Sequence, residues 1–122
     1  MPWRVLAADD DPTAGFLMQA ALAGGDFVLT LVDNGYDALA EFQKSSFDIA
    51  LLDVEMPGLD GFEVGSAMRR THGDGFPLVL VTGRIDPAFV ERARQLSASH
   101  IAKPVDWKLL ANRLRSLLSA KD

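Results

Sequence analysis

Apolar residues fall into two patterns that take turns along the chain: short unbroken runs, and stripes at helical spacing. The runs are Trp3 to Ala8, Phe27 to Val32, Ile49 to Leu52, Leu78 to Val81 and His100 to Ala102. Unbroken runs of this length suit strands buried on both faces of a parallel sheet. The fifth is the weakest and is accepted for its place in the alternation. Helical signals lie between the runs. Asp11-Pro12 sets a capping residue before a proline at the first helical position, and Leu17, Ala20 and Ala21 follow as an inner stripe ended by Gly24-Gly25. After Asn34-Gly35, Ala38, Leu39 and Phe42 mark a second helix. A third runs from about Phe62 to Arg70, with Val64 and Met68 one turn apart. Gly65 weakens it by roughly 1 kcal/mol relative to alanine, which predicts close packing against its Cα. Asp86-Pro87 repeats the capping signature before Phe89, Ala93 and Leu96. The fifth helix starts at Asp106 and carries Trp107, Leu110, Leu114 and Leu117 at core spacing.

Five strand–helix alternations predict an α/β domain over residues 1–122: a parallel sheet with helices on both faces and right-handed crossovers. At this size the common solution is the flavodoxin-like, doubly wound, five-stranded sheet of order 2-1-3-4-5 with five helices. Its switch point lies between strands 1 and 3, which end in Asp9-Asp10 and in Asp53. Asp53 alone would serve equally well to cap the turn before Pro57-Gly58 and Asp60-Gly61. The topology, however, brings three acids into one crevice.

Carboxylates so placed repel one another unless a cation joins them. Mg²⁺, or Mn²⁺ in its place, takes oxygen ligands and keeps several waters. Asp10 and Asp53 would each give an oxygen, Asp9 would hold a coordinated water, and the Glu55 carbonyl would supply a main-chain ligand. Asp11 needs no role beyond capping. Thr82 and Lys103 end the two remaining strands, Thr82 beside Gly83 and Lys103 fixed by Pro104. A hydroxyl and an ammonium facing a metal-bound carboxylate make a pocket for a tetrahedral dianion. The predicted chemistry is attack by a carboxylate on phosphorus, giving an acyl phosphate.

The acidic pair, Asp53-x-x-Met56-Pro57-x-x-Asp60-Gly61, Thr82-Gly83 and Lys103-Pro104 resemble, in order and spacing, the receiver domain of two-component response regulators over essentially the whole chain. The resemblance implies Asp53 as phosphoacceptor, Asp9 and Asp10 as metal acids, Glu55 as the carbonyl donor, and Thr82 and Lys103 as the phosphate-sensing pair. It implies a sensor histidine kinase or phosphotransfer protein as donor. It also implies a response in the face made by helix 4, strand 5 and helix 5, with dimerisation on phosphorylation allowed. His100 stands where the family has Tyr or Phe as a rotamer switch coupled to the threonine. An imidazole can still swing inward, yet it is smaller than either ring. The resemblance implies that Glu55 and Arg84 occupy positions that tune dephosphorylation, and their opposite charges suggest a pair across the pocket.

Two other readings use the same residues. Asp9-x-Asp11-x-Thr13 fits the nucleophile motif of haloacid-dehalogenase-like phosphatases, with Asp9 attacking, but it leaves the Asp53 stretch unexplained and lacks a second acidic pair after Lys103. A pseudo-receiver that only docks partners would be expected to lack an acid, the acceptor or the lysine, and none is lacking.

Composition adds limits. The net charge of -5 with no basic stripe argues against a nucleic-acid surface. Zero Cys excludes a disulfide framework and thiolate metal sites, and fits a reducing compartment. No apolar run approaches a membrane span, so a cytoplasmic domain is expected. No internal repeat, linker or low-complexity segment occurs. The chain is read as ending just after helix 5, at Ser119-Ala120-Lys121-Asp122, without a DNA-binding helix-turn-helix. Ala102 to Leu110 resembles receivers that precede cyclic-di-GMP signalling domains, so an effector of that class or a protein partner is the expected output. Arg69, Arg70, Arg92, Arg94, Arg113 and Arg115 fall on outer helix faces, where solvation accounts for most of them.

Overall fold

The computed structural model describes residues 2–120, so Lys121 and Asp122 of the expected C-terminal tail lie outside the described residues. Strands β1 (Trp3–Ala8), β2 (Phe27–Val32), β3 (Ile49–Asp53), β4 (Leu78–Thr82) and β5 (Ser99–Ala102) alternate with helices α1 (Pro12–Ala21), α2 (Gly35–Lys44), α3 (Gly61–His72), α4 (Pro87–Gln95) and α5 (Trp107–Ala120). All strand pairs are parallel, in the order β2-β1-β3-β4-β5. This is the flavodoxin-like arrangement that the alternation predicts.

The three central strands explain why their sequences are apolar without a break. Successive side chains of a strand point to opposite faces, and here both faces are covered. Leu6, Ala50, Leu52, Leu78 and Leu80 pack on α2, α3 and α4. Val5, Ile49, Leu51, Val79 and Val81 pack on α1 and α5. Register pairs Ala8 with Leu52 and Asp53 with Val81, so the strands end nearly level at their carboxyl edge.

Helix boundaries follow their caps. The side chains of Asp11, Asn34, Asp60 and Asp86 each accept a backbone N–H in the first turn of α1, α2, α3 and α4, and Asp60 and Glu63 form a reciprocal capping box. That box starts α3 one residue earlier than the apolar stripe suggests.

Three inner faces differ from expectation. On α1, Ala20 is exposed and the buried residues are Gly15 and Met18, with Leu22 buried at the C-terminal cap. On α5, Leu118 is buried beside Leu110 and Leu114, while Leu117 only flanks them. Gly65 is buried, yet a Cβ there would meet Leu78, Leu96 and Leu52 methyls at 3.4 to 4.0 Å, ordinary contact rather than the tight approach expected. The tight approaches occur elsewhere, at Gly15, Gly35, Gly58 and Gly61.

Candidate functional site

Each candidate residue reaches the carboxyl edge of the sheet because it ends, or directly follows, a strand. Asp9 extends β1, its N–H donating to the Val32 carbonyl at 3.1 Å. Asp53 is the last residue of β3, and Val54 N–H donates to Val81 O at 2.9 Å. Thr82 ends β4, and its carbonyl accepts the Lys103 N–H at 2.9 Å. The Lys103–Pro104 peptide is cis.

Carboxylate oxygens of Asp9, Asp10 and Asp53 lie within 4.8 Å of one another. Asp9 and Asp53 are buried, and Asp10 is exposed at the rim. Asp53 is only 2% exposed and fully engaged. Its Oδ1 accepts the Glu55 N–H at 3.1 Å, and its Oδ2 accepts from Lys103 Nζ at 3.2 Å. The lysine side chain keeps 37% of its exposure, so the ammonium bridges the buried acid and solvent. Asp9 Oδ1 accepts the Asp11 N–H at 2.9 Å. Thr82 is buried, and its hydroxyl accepts the Arg84 N–H at 3.1 Å.

The loop after β3 closes on the site through glycines. Gly58 has a positive φ of 78°. A Cβ at Gly61 would fall 2.7 Å from the Asp53 carbonyl oxygen and 2.9 Å from Val54 Cα, so only glycine lets the chain fold back there. The Asp60-Gly61 turn signal pointed to this place without revealing the close approach.

Electrostatics carry the mark of crowding. Burial, together with the charge and hydrogen bonding of neighbouring Asp53, raises the Asp9 carboxyl above its ordinary value, although the Asp11 N–H and Lys103 work the other way. Burial acts to lower the Lys103 ammonium, but its hydrogen bond to Asp53 and the charges of Asp53, Asp9 and Glu55 outweigh this and raise it. A carboxyl with a raised folded-state pKa stabilises the fold fully below its unfolded value of 3.8, and that contribution is lost as pH rises through the folded value. Asp9→Asn does not titrate. Without divalent metal, its stability advantage over the parent is expected to grow as pH rises from about 3 to about 8. Denaturant midpoints across that range check it, and Mg²⁺ should narrow the gap because only the parent keeps all three carboxylates.

The cluster fits a hard divalent cation: three carboxylates converge, one is held against its own desolvation, and every donor is oxygen. Asp9, Asp10 and Asp53 would hold Mg²⁺, with Glu55 contributing from the adjoining backbone.

Two expectations sit apart from the cluster. The His100 ring packs edge-on against Phe89 of α4, with centroids 5.5 Å apart, on the strand side of that helix. Glu55 and Arg84 line one cavity with Thr82, Asp86, Phe89 and Arg92, but no ion pair joins them among the described residues. Both are exposed, so water competes for each charge. The arginines also divide. Arg92 lies over the Phe62 ring at 3.8 Å, Arg115 pairs with Asp26 at 2.6 Å, and half-buried Arg69 donates to four backbone carbonyls. Spacing on a helix does not reveal such long-range partners.

Comparison with known proteins places this geometry. A model of the response regulator receiver domain matches residues 5–115. The transcriptional activator protein IrlR of Burkholderia pseudomallei is 31% identical over 116 residues, covering 94% of this chain and 50% of that protein. The sensor histidine kinase GacS of Pseudomonas protegens is 35% identical over 116 residues, covering 88% of this chain and 12% of that protein. The chain thus spans half or less of the length of these relatives. The chemotaxis response regulator CheY4 of Vibrio cholerae superposes with a TM-score of 0.87 at 26% identity, covering 96% of this chain and 99% of that one. No helix among the described residues is long and apolar enough to cross a membrane.

Proposed function

The chain belongs to the response regulator receiver domain family of two-component signalling, and from that membership we propose that Asp53 accepts a phosphoryl group from a phosphohistidine on a sensor kinase or phosphotransfer protein. The observation that carries the reading is the convergence of Asp9, Asp10 and Asp53 within 4.8 Å, with Lys103 on the Asp53 carboxylate. A carboxylate oxygen of Asp53 forms the new O–P bond as the P–N bond to the donor imidazole breaks, and the imidazole leaves with the bonding pair. Lys103 neutralises charge on the transferred oxygens. The Thr82 hydroxyl exchanges the Arg84 N–H for a phosphoryl oxygen, to which it donates. Asp9, Asp10 and Asp53 would hold Mg²⁺, which would supply charge neutralisation for the transferring group.

The product is an acyl phosphate that biases two conformations of the α4–β5–α5 face. His100 on β5, packed on Phe89 of α4, stands at the seam of that face and takes the place of an aromatic switch. Glu55 and Arg84, at the mouth of the neighbouring cavity, set how water reaches the phosphoryl group. The chemistry of the domain itself is limited to gaining and losing that group. Output passes to an effector, a cyclic-di-GMP enzyme among the candidates, to a protein partner or to a second copy of the chain, in the cytoplasm. Neither nucleic acid nor membrane contacts the domain directly.

Incubation with acetyl phosphate tests the metal dependence of this reading. Phosphoryl incorporation, followed by intact mass, is expected to need Mg²⁺ or Mn²⁺ and to stop with EDTA. In Asp10→Ala the Mg²⁺ concentration for half-maximal incorporation should rise by about tenfold or more, the loss of one charged ligand from a solvent-rimmed site. Incorporation that ignores both chelator and substitution would remove the metal from the account.

A further inference from the structure

Arg69 ties the connection between α3 and β4 to the turn that follows α4. Its Nε donates to Leu96 O at 2.6 Å and its Nη2 to Ser97 O at 3.0 Å, both in the turn that follows α4. Its Nη1 donates to Gly73 O at 2.8 Å, just past α3, and to Phe76 O, just before β4. The turn it grips is a strained one. Ser97 has φ 53°, the left-handed region that a residue with a Cβ adopts at a cost and holds only when its surroundings fix it. The N–H groups of Ser97 and Ala98 donate back to Arg94 and Ala93 carbonyls at 2.9 Å, and Arg69 holds the carbonyl side. At its other end α4 is held by Phe89, buried against Phe62 and His100, but the loop that leads into it is open to solvent. Residues 83–88 are all exposed, and the link from this loop to the sheet edge includes the Arg84 N–H on the Thr82 hydroxyl.

We propose that Arg69 is a positioning residue that makes the turn at Ser97 the pivot of α4, so that a shift of the β4–α4 loop rotates the helix about a fixed C-terminal end. The inference rests on the phosphoacceptor reading, because the shift begins when Thr82 releases Arg84. An arginine is needed, since one planar guanidinium serves carbonyls in several directions and an ammonium on a flexible stem does not.

Amide hydrogen exchange on the full chain, read by peptide mass spectrometry with Mg²⁺ alone and with Mg²⁺ plus beryllofluoride, tests this. In the parent, beryllofluoride is expected to change exchange by about tenfold or more across 83–90 while 96–99 stay protected in both states. In Arg69→Lys, protection at 96–99 should fall about tenfold, and the beryllofluoride response should spread along all of α4. A merely structural arginine would instead weaken protection throughout the chain and leave the distribution of the response unaltered, which overturns the proposal. A parental response as large at 96–99 as at 83–90 also overturns it, and that comparison decides the matter even if the variant does not fold. No response to beryllofluoride anywhere overturns the phosphoacceptor reading and the pivot with it, whereas a response in the wrong place overturns the pivot alone.

Discussion

Asp53→Asn is expected to remain folded and to gain no phosphoryl group from acetyl phosphate or a phosphohistidine donor, a fall of at least about 10³-fold in incorporation rate. The change is nearly isosteric, so the cost to packing is small. The Asn oxygen can still accept from the Glu55 N–H and the Lys103 ammonium, the two groups that satisfy the buried acid. It also removes one of three crowded negative charges. What it lacks is an anionic nucleophile, since an amide oxygen attacks phosphorus far more weakly than a carboxylate. Intact-mass spectrometry under parental conditions reads the outcome, and parental incorporation would show that the reaction does not run through this residue.

Lys103→Ala should give the second largest effect. The ammonium lies 3.2 Å from a carboxylate that is 2% exposed, and among the described residues it is the cation paired with the cluster. Its removal is expected to slow phosphoryl incorporation by about 10²-fold, the scale of losing one preorganised donor to developing charge. Whatever acyl phosphate forms should fail to drive the conformational response, because the phosphoryl oxygens lose their tether to β5. Mg²⁺ affinity without donor should move the other way and increase, because a competing positive charge has gone. Stopped incorporation kinetics and a Mg²⁺ titration separate these effects. A slower reaction with weaker Mg²⁺ binding would indicate general damage to the pocket.

Residues at strand ends were the legible part of this protein. Asp9, Asp53, Thr82 and Lys103 sit together because parallel strands of similar length finish at one edge, and three of those strands, β1, β3 and β4, announce themselves as apolar runs covered on both sides. Even β5, which is only half-buried at the sheet edge and therefore carries a weaker apolar signal, could be placed by the alternation. Helix faces read less well where residues of similar hydropathy compete. Met18 and Leu22 are buried where Ala20 is exposed, and Leu118 is buried where Leu117 only flanks the core, because apolar spacing alone does not fix how each helix is rotated about its axis on the sheet. Arg69 was illegible, since two of its four carbonyl partners, Leu96 and Ser97, lie 27 and 28 residues away and only the fold brings them near. The Glu55–Arg84 pairing failed for the opposite reason: opposite charge in a shared cavity is insufficient when both groups are open to water.

The central claim is that one particular carboxylate, the one at the end of β3, forms the acyl phosphate. Treatment with acetyl phosphate and Mg²⁺, reduction of the acyl phosphate with borohydride, and peptide mass spectrometry locate the modified residue directly, since reduction converts the phosphorylated aspartate to homoserine. Homoserine at position 53 alone is the expected result. Homoserine at position 9, or none anywhere in a protein with its folded spectrum intact, would contradict the account.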